Sequence, residues 1–239
     1  MITSLQNETI KSLIKLKQKK YRDETNTFLI EGFHLVEEAR KSHKILKIIT
    51  TLNETFLEDT IYVSDHVMNK LAFTKTPQPI MALCQKNDTN MICKEGKRYL
   101  LLDRLQDPGN VGTIMRTALA FGYDQIIMSP DCVDLYNDKV VRSTQGALFQ
   151  MDVYVLELNK AIEKLHEQDV SVYGTCLQNA SSIEMYQAKD KMAFVMGNEG
   201  QGVSQDVLDI CDHLLYIPIQ SVESLNVGIA AAITMYHFR

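Results

Sequence analysis

Tyr99-Leu-Leu-Leu102-Asp-Arg-Leu-Gln-Asp107-Pro-Gly-Asn110-Val-Gly112-Thr-Ile-Met-Arg116-Thr-Ala118 joins an apolar run, a polar turn and a helical pattern in immediate succession. Tyr99–Leu102 has no polar alternation, the mark of a strand covered on both faces, and Val111–Phe121 carries apolar residues at helical spacing. The unit repeats downstream. Apolar runs at Gln125–Ser129, Val153–Leu156, Val170–Cys176, Ala193–Met196 and Leu214–Ile219 read as buried strands. Helical segments Lys139–Phe149, Lys160–Glu167 and Gln205–Cys211 lie between them, and a last helix runs from about Leu225 to the C-terminus. Alternating elements with uninterrupted apolar strands predict an α/β domain built on a parallel sheet. Such sheets bind ligands at the carboxyl ends of their strands, so the loops there hold the candidate chemistry.

Three of those loops stand out. In the first, Pro108 and Gly109 mark a turn and Asn110 begins a helix, whose free N–H groups attract anions. Arg116 follows six residues on, either as a surface residue or aimed at a ligand. A dinucleotide fingerprint is not met, because Met115 stands where the last glycine belongs, although Asp131 lies at a plausible distance for a ribose-binding acid. The second loop, Met196-Gly-Asn-Glu-Gly-Gln-Gly202, packs three glycines into six residues, which permits close approach of backbone to a ligand. Glu199 at its centre is either solvated or turned into the site. The third, Ile217-Pro-Ile-Gln-Ser-Val-Glu-Ser224-Leu-Asn226-Val, leads into a helix whose Gly228, Ala230, Ala231 and Ala232 form a small-residue surface suited to close packing.

Upstream the punctuation changes. Only Gly32 of the eleven glycines precedes Gly96, and the polar stretch Gln85–Arg98 separates the two regimes. The expected domains are therefore 1–95 and 96–239. In the first, Asn7 caps a helix with Ile10, Leu13, Ile14 and Tyr21 on its apolar side. Strands are expected at Thr27–Ile30, Ile45–Thr50, Ile61–Ser64 and Ile80–Cys84, and helices at Phe33–Lys41 and, after Ser64, at Asp65–Leu71.

The chain carries a net charge of −5, yet residues 1–98 hold 16 Lys+Arg against 12 Asp+Glu and the remainder 9 against 18. Polyanion binding depends on where positive charge lies, and Lys11, Lys15, Lys17, Lys19, Lys20 and Arg22 cluster with no acid between Glu8 and Asp23. This run is a candidate RNA-binding surface; the plainer alternative is a solvated helix face. No stretch is apolar for long enough to span a membrane, and the N-terminal residues lack the apolar core of a secretory signal. Five scattered cysteines, odd in number and without C-x-x-C pairing, argue against a disulfide framework or zinc site and fit a cytoplasmic protein. The six histidines show no metal-ligand spacing, so no metal is expected.

N-x-G-x-x-x-R-T-A-x-A-F-G (Asn110 to Gly122), M-G-N-E-G-x-G (Met196 to Gly202) and I-P-I-x(5)-S-L-N-V (Ile217 to Val227) resemble the three motifs of the SpoU (TrmH-like) RNA methyltransferases, in the same order. Val141-Arg-Ser-Thr-Gln-Gly-Ala147 resembles a further family segment, and the similarity spans Tyr99 to Arg239. Phe28-Leu-Ile-Glu-Gly32 and Thr76-Pro-Gln-Pro-Ile80 resemble the ribosomal-protein-like RNA-binding domain of many members, with Pro79 where glycine is common.

The resemblance implies a catalytic domain tied in a trefoil knot, S-adenosylmethionine as cofactor, transfer of its methyl group to a ribose 2′-hydroxyl, and a homodimer formed through the knot. It implies cofactor binding around Thr175, Gly197, Ile217, Ser224, Leu225 and Asn226. It assigns nucleophile activation to Arg116, orientation to Asn110, and the site's polar network to Glu199 and Asn226. The ribosomal-protein-like domain favours large-subunit ribosomal RNA as substrate, with tRNA as the alternative. Two readings from other classes are a nicotinamide-dependent oxidoreductase and a non-catalytic RNA-binding protein; retention of all the motif polar residues speaks against the second.

Overall fold

A computed structural model describes residues 1–89 and 95–239. The part of the Gln85–Arg98 boundary on 90–94, with Cys93, lies outside the described residues. In chain order the first elements are α1 (Glu8–Lys15), α2 (Lys19–Thr25), β1 (Thr27–Glu31), α3 (Phe33–Lys41), β2 (Ile45–Thr50), β3 (Thr60–Tyr62), α4 (Asp65–Leu71) and β4 (Ile80–Gln85). There follow β5 (Arg98–Leu102), α5 (Pro108–Ala120), β6 (Gln125–Met128), α6 (Asp138–Ser143), β7 (Asp152–Val155) and α7 (Leu158–His166). The last are β8 (Ser171–Thr175), β9 (Ser181–Ser182), β10 (Met192–Met196), α8 (Gln205–Leu208), β11 (His213–Tyr216) and α9 (Val227–His237).

The chain forms two compact units, one of residues 1–87 with 134–150 and the other of 88–133 with 151–239. The expected division at 95/96 thus describes the sequence but not the packing. Residues 134–150 join the first unit because Tyr136 and Phe149 sit on Phe28, with ring centroids 4.7 and 6.2 Å away, and because Arg22 pairs with Asp134. The helix expected over Lys139–Phe149 breaks where Gln145 and Gly146 take φ of 49° and 92°, and Ala147–Phe149 forms a 3₁₀ turn.

In the first unit β1, β4 and β2 pair antiparallel and β3 joins β2 in parallel. Asn7 caps α1 as expected, accepting from Thr9 N and Ile10 N. The basic run is not one helix, however; α1 ends at Lys15 and Tyr21 belongs to α2.

The second unit is a seven-stranded sheet in the order β7-β6-β5-β10-β8-β11-β9, every pairing parallel. Its central strands are buried from Tyr99 to Leu102 and from Met192 to Met196, as their unbroken apolar runs predict. From β5 the chain moves outward through β6 and β7, then returns to build β8, β10 and β11 on the other side. The order reverses beside β5 and β10, which places a crevice at their carboxyl ends. Helix α9 packs against α5 there, with Gly228 and Ala231 buried. Those small residues serve packing within the unit. The exposed side of α9 carries Ile229, Ile233 and Tyr236 instead. Among the described residues no helix is long and apolar enough to cross a membrane.

Candidate functional site

The loops after β8, β10 and β11 and the start of α9 enclose a cavity of about 700 Å³, a size usual for small-molecule sites, which run from about 300 to 1,000 Å³. Thr175, Gly197, Ile217, Ser224, Leu225 and Asn226, the residues expected to hold a cofactor, all line it. The β10 loop folds back on itself: Asn198 N donates to Gly202 O (3.1 Å), Gly202 N donates to Asn198 O (2.9 Å), and Gly202 has φ 70°. A Cβ on Gly197 would lie 2.1 Å from Gly202 C and Val203 N. Glycine is required at 197 by the loop's own closure, before any ligand is considered.

A polar chain links two cavity-lining residues, Asn226 and Glu199. Asn226 is the N-cap of α9, and its Oδ1 accepts from Gly228 N (2.9 Å) and Ile229 N (3.3 Å). That use of the oxygen turns its NH₂ outward, where it donates to Asn110 Oδ1 (2.9 Å). The Asn110 amide must then point its own NH₂ the other way, and it donates to Glu199 Oε1 (3.1 Å). Glu199 also accepts from the backbone N–H of Gln106 (3.2 Å) and Asp107 (3.1 Å). Three segments distant in sequence thus meet through residues 110, 199 and 226.

Partial burial would raise the Glu199 carboxyl, but the Asn110 amide and the N–H groups of Glu199, Asp107 and Gln106 outweigh it and hold its pKa below the ordinary carboxylate value. Glu199 is therefore an ionised, acceptor-only anchor at neutral pH. A depressed folded-state value stabilises the fold above the unfolded pKa, near 4.3, and that contribution is lost as pH falls through the folded value. Glu199→Gln puts an NH₂ against a donor, so we expect a thermal midpoint below wild type and a single-turnover rate lowered about tenfold or more. The stability gap to wild type should stay constant from neutrality down to pH 5 and close only in stronger acid. A gap that changes between pH 6 and 8 in thermal melts contradicts this assignment.

Helix α5 starts earlier than expected. Asp107 is its N-cap, accepting from Asn110 N (2.8 Å), and Pro108 opens the helix. Asp107-Pro108 was the sequence signal for that start. Arg116 is exposed on α5 and makes no hydrogen bond or ion pair among the described residues, nor does it line the cavity. It lies six residues past Asn110, about 9 Å along the helix axis. Met115, at the place of the dinucleotide glycine, is fully buried in the packing of α5. Sequence reasoning missed Arg104 and Gln106, which carry no motif signal of their own.

The basic run divides. Arg22 is withdrawn from any RNA surface: it is 6% exposed, donates to Leu16 O (2.8 Å) and pairs with Asp134. The Lys17 amine donates to the carbonyls of Lys70 (2.9 Å) and Ala72 (2.8 Å) at the end of α4, and burial, with Lys70 nearby, lowers its pKa. Lys11 pairs with Glu8, and Lys15 and Lys20 flank the Tyr21 ring. Lys15, Lys17, Lys19 and Lys20 are all exposed, but the Lys17 amine is committed to the Lys70 and Ala72 carbonyls. Among the described residues no cluster of His, Cys, Asp and Glu is arranged to hold a metal.

Residues 97–236 match the SpoU rRNA methylase family, and residues 7–82 match the MRM3-like substrate binding domain. A curated relative from Bacillus subtilis, the 23S rRNA (guanosine(2553)-2′-O)-methyltransferase RlmP, is 39% identical over 100% of this chain and 98% of its own length. An uncharacterised tRNA/rRNA methyltransferase of Synechocystis is 34% identical over 100% of this chain and 93% of its own. The crystal structure of an AdoMet-bound rRNA methyltransferase from Sinorhizobium meliloti superposes with a TM-score of 0.91 at 29% identity, covering 100% of this chain and 96% of that one.

Proposed function

This chain belongs to the SpoU rRNA methylase family, and from that premise we propose that its substrate is large-subunit ribosomal RNA, methylated on a ribose 2′-hydroxyl. It is an S-adenosylmethionine-dependent RNA 2′-O-methyltransferase. The observation that carries the reading is the Asn226–Asn110–Glu199 chain, which joins two walls of the glycine-bounded cavity through Asn110 at the start of α5.

The cavity fits the cofactor in size and in the mixed polar and apolar chemistry of its wall. Thr175, Gly197, Ile217, Ser224, Leu225 and Asn226 are the residues that would hold it, chiefly through backbone groups. Bound there, S-adenosylmethionine supplies an electrophilic methyl carbon. The chain's own part is to bind, orient and activate a ribose hydroxyl, a poor nucleophile while neutral. Glu199 is ill suited as the base, because its oxygens already accept three hydrogen bonds and its pKa is depressed. The task falls to Arg116, which is exposed and free of partners among the described residues; an arginine stays protonated, so its contribution is to position and polarise the hydroxyl or to act with an RNA phosphate. Asn110, fixed in one orientation by Asn226 and Glu199, presents the polar edge of the site. Alignment of oxygen, carbon and sulfur supplies the remainder of the acceleration.

The loops of residues 175–179, 197–203 and 217–226 converge on one cavity, which supports a C-terminal segment threaded as a trefoil knot. The exposed Ile229, Ile233 and Tyr236, one side of α9 at spacings of four and three, support a homodimer through that helix. The unit of residues 1–87 with 134–150 acts as the RNA-binding domain, and the unit of 88–133 with 151–239 carries catalysis. The unpaired arrangement of the described cysteines is consistent with a cytoplasmic site of action.

Lys11, Lys15, Lys19 and Lys20 are the proposed phosphate-binding residues; Lys17 and Arg22 hold the domain together. Neutralising Lys15, Lys19 and Lys20 together should flatten the dependence of RNA affinity on salt by about 0.7–0.9 log units for each phosphate that is no longer neutralised. Cofactor affinity should not change. Filter binding of a large-subunit RNA fragment across salt concentrations checks this, and an unaltered slope assigns those lysines to solvation alone. Efficient methylation of bare tRNA in a methyl-transfer assay, with the ribosomal fragment inert, overturns the choice of substrate.

A further inference from the structure

Arg104, at the carboxyl end of β5, has φ 57°, a left-handed conformation that a long side chain seldom adopts. Such a residue persists only where its surroundings over-determine it. Its N–H donates to Ser129 Oγ (2.9 Å) and its guanidinium to both oxygens of the buried Asp103 carboxylate (3.1 and 3.3 Å). The same guanidinium reaches the cavity-wall loop, donating to Gln201 Oε1 (3.1 Å) and Gly202 O (3.4 Å). Its carbonyl accepts from the side-chain amides of Asn198 (2.8 Å) and Gln106 (3.4 Å). Asp103 completes the arrangement by accepting from Ser204 N (2.7 Å), just past that loop. Asn198, Gln201 and Gly202 all line the cavity, whereas the backbone N–H of Gln106 anchors Glu199.

We propose that Arg104 is a positioning residue that clamps the Gly197–Val203 loop in its cofactor-receiving shape and couples that loop to the Asn110–Glu199 network. Arg104 does not itself line the cavity; it acts through Asn198, Gln201 and Gly202. The inference rests on the cofactor reading above, and the two fail differently. A wild type that binds no S-adenosylmethionine sinks that reading, whereas wild-type binding with unaltered variants sinks only this one.

The left-handed backbone makes the test clean, because glycine and asparagine suit that conformation better than arginine. Arg104→Gly and Arg104→Asn therefore remove the clamp without straining the chain. Calorimetry should find the Kd for S-adenosylmethionine raised about tenfold in both, the worth of the charge-assisted hydrogen bonds removed from the loop. The KM for cofactor should rise in step while kcat changes much less, and the thermal midpoint should fall because the buried Asp103 carboxylate loses its partner. Arg104→Lys, with one donor head in place of a fork, should restore part of the affinity. A Kd in Arg104→Gly within about twofold of wild type overturns the proposal, as does an equal loss of kcat or an Arg104→Lys that restores none of the affinity.

Discussion

Arg116→Ala should abolish methyl transfer while leaving the cofactor bound and the fold intact. The side chain is exposed and without a partner among the described residues, and the buried face of α5 is made by Val111, Ile114, Met115 and Ala118. Alanine is the best helix former, so α5 loses nothing in propensity. A group that positions or activates the attacking hydroxyl contributes on the order of 10²–10⁴ in rate, and we expect a single-turnover loss in that range at saturating S-adenosylmethionine. Calorimetric affinity for the cofactor should match wild type. Arg116→Lys keeps the charge but not the planar fork; substantial activity in it would assign Arg116 an electrostatic role in place of a bidentate one. A near-normal single-turnover rate in Arg116→Ala removes the residue from the mechanism.

The second large effect is expected at Gly197. A methyl group there meets Gly202 and Val203 backbone at 2.1 Å, which no rotamer change relieves. Gly197→Ala should force apart the Asn198–Gly202 pair and distort the cavity wall, with cofactor affinity lowered by about a hundredfold or more, an effect comparable to severe overpacking. Gly200→Ala makes the contrast, because its Cβ would meet nothing nearer than Asn198 Oδ1 at 3.8 Å; a far smaller change is expected. Equal tolerance of alanine at 197 and 200 in calorimetry would refute this picture of the loop.

Much of the second unit was legible. Unbroken apolar strands and helical spacing located every strand of its sheet except β9, which at Ser181–Ser182 is too short to leave a pattern. The loops bearing Asn110, Glu199 and Asn226 stood at strand ends, and the structure joins those three side chains directly. What the sequence could not carry was long-range choice. Nothing local says that Tyr136 and Phe149 will pack on Phe28 and take residues 134–150 into the first unit. The Gln145-Gly146 pair did hold a signal for a helix end, since glycine is favoured just past a helix C-terminus. Charge counting placed Arg22 among RNA-facing residues because composition is blind to the direction a helix faces, and α2 turns Arg22 inward to Asp134. Arg104 was unreadable for a related reason: its left-handed backbone and its reach to Gly202 depend on where β10 lies beside β5.

The central question is whether this enzyme methylates a ribose of large-subunit ribosomal RNA. Mapping 2′-O-methyl groups in ribosomal and transfer RNA from cells with and without the gene tests it most directly, with wild type and Arg116→Ala returned to the deletion strain. The predicted result is loss of a ribose methylation in large-subunit RNA, restored by wild type and not by Arg116→Ala. Unchanged ribosomal maps, with a methyl group missing only from tRNA or from no RNA at all, would contradict it.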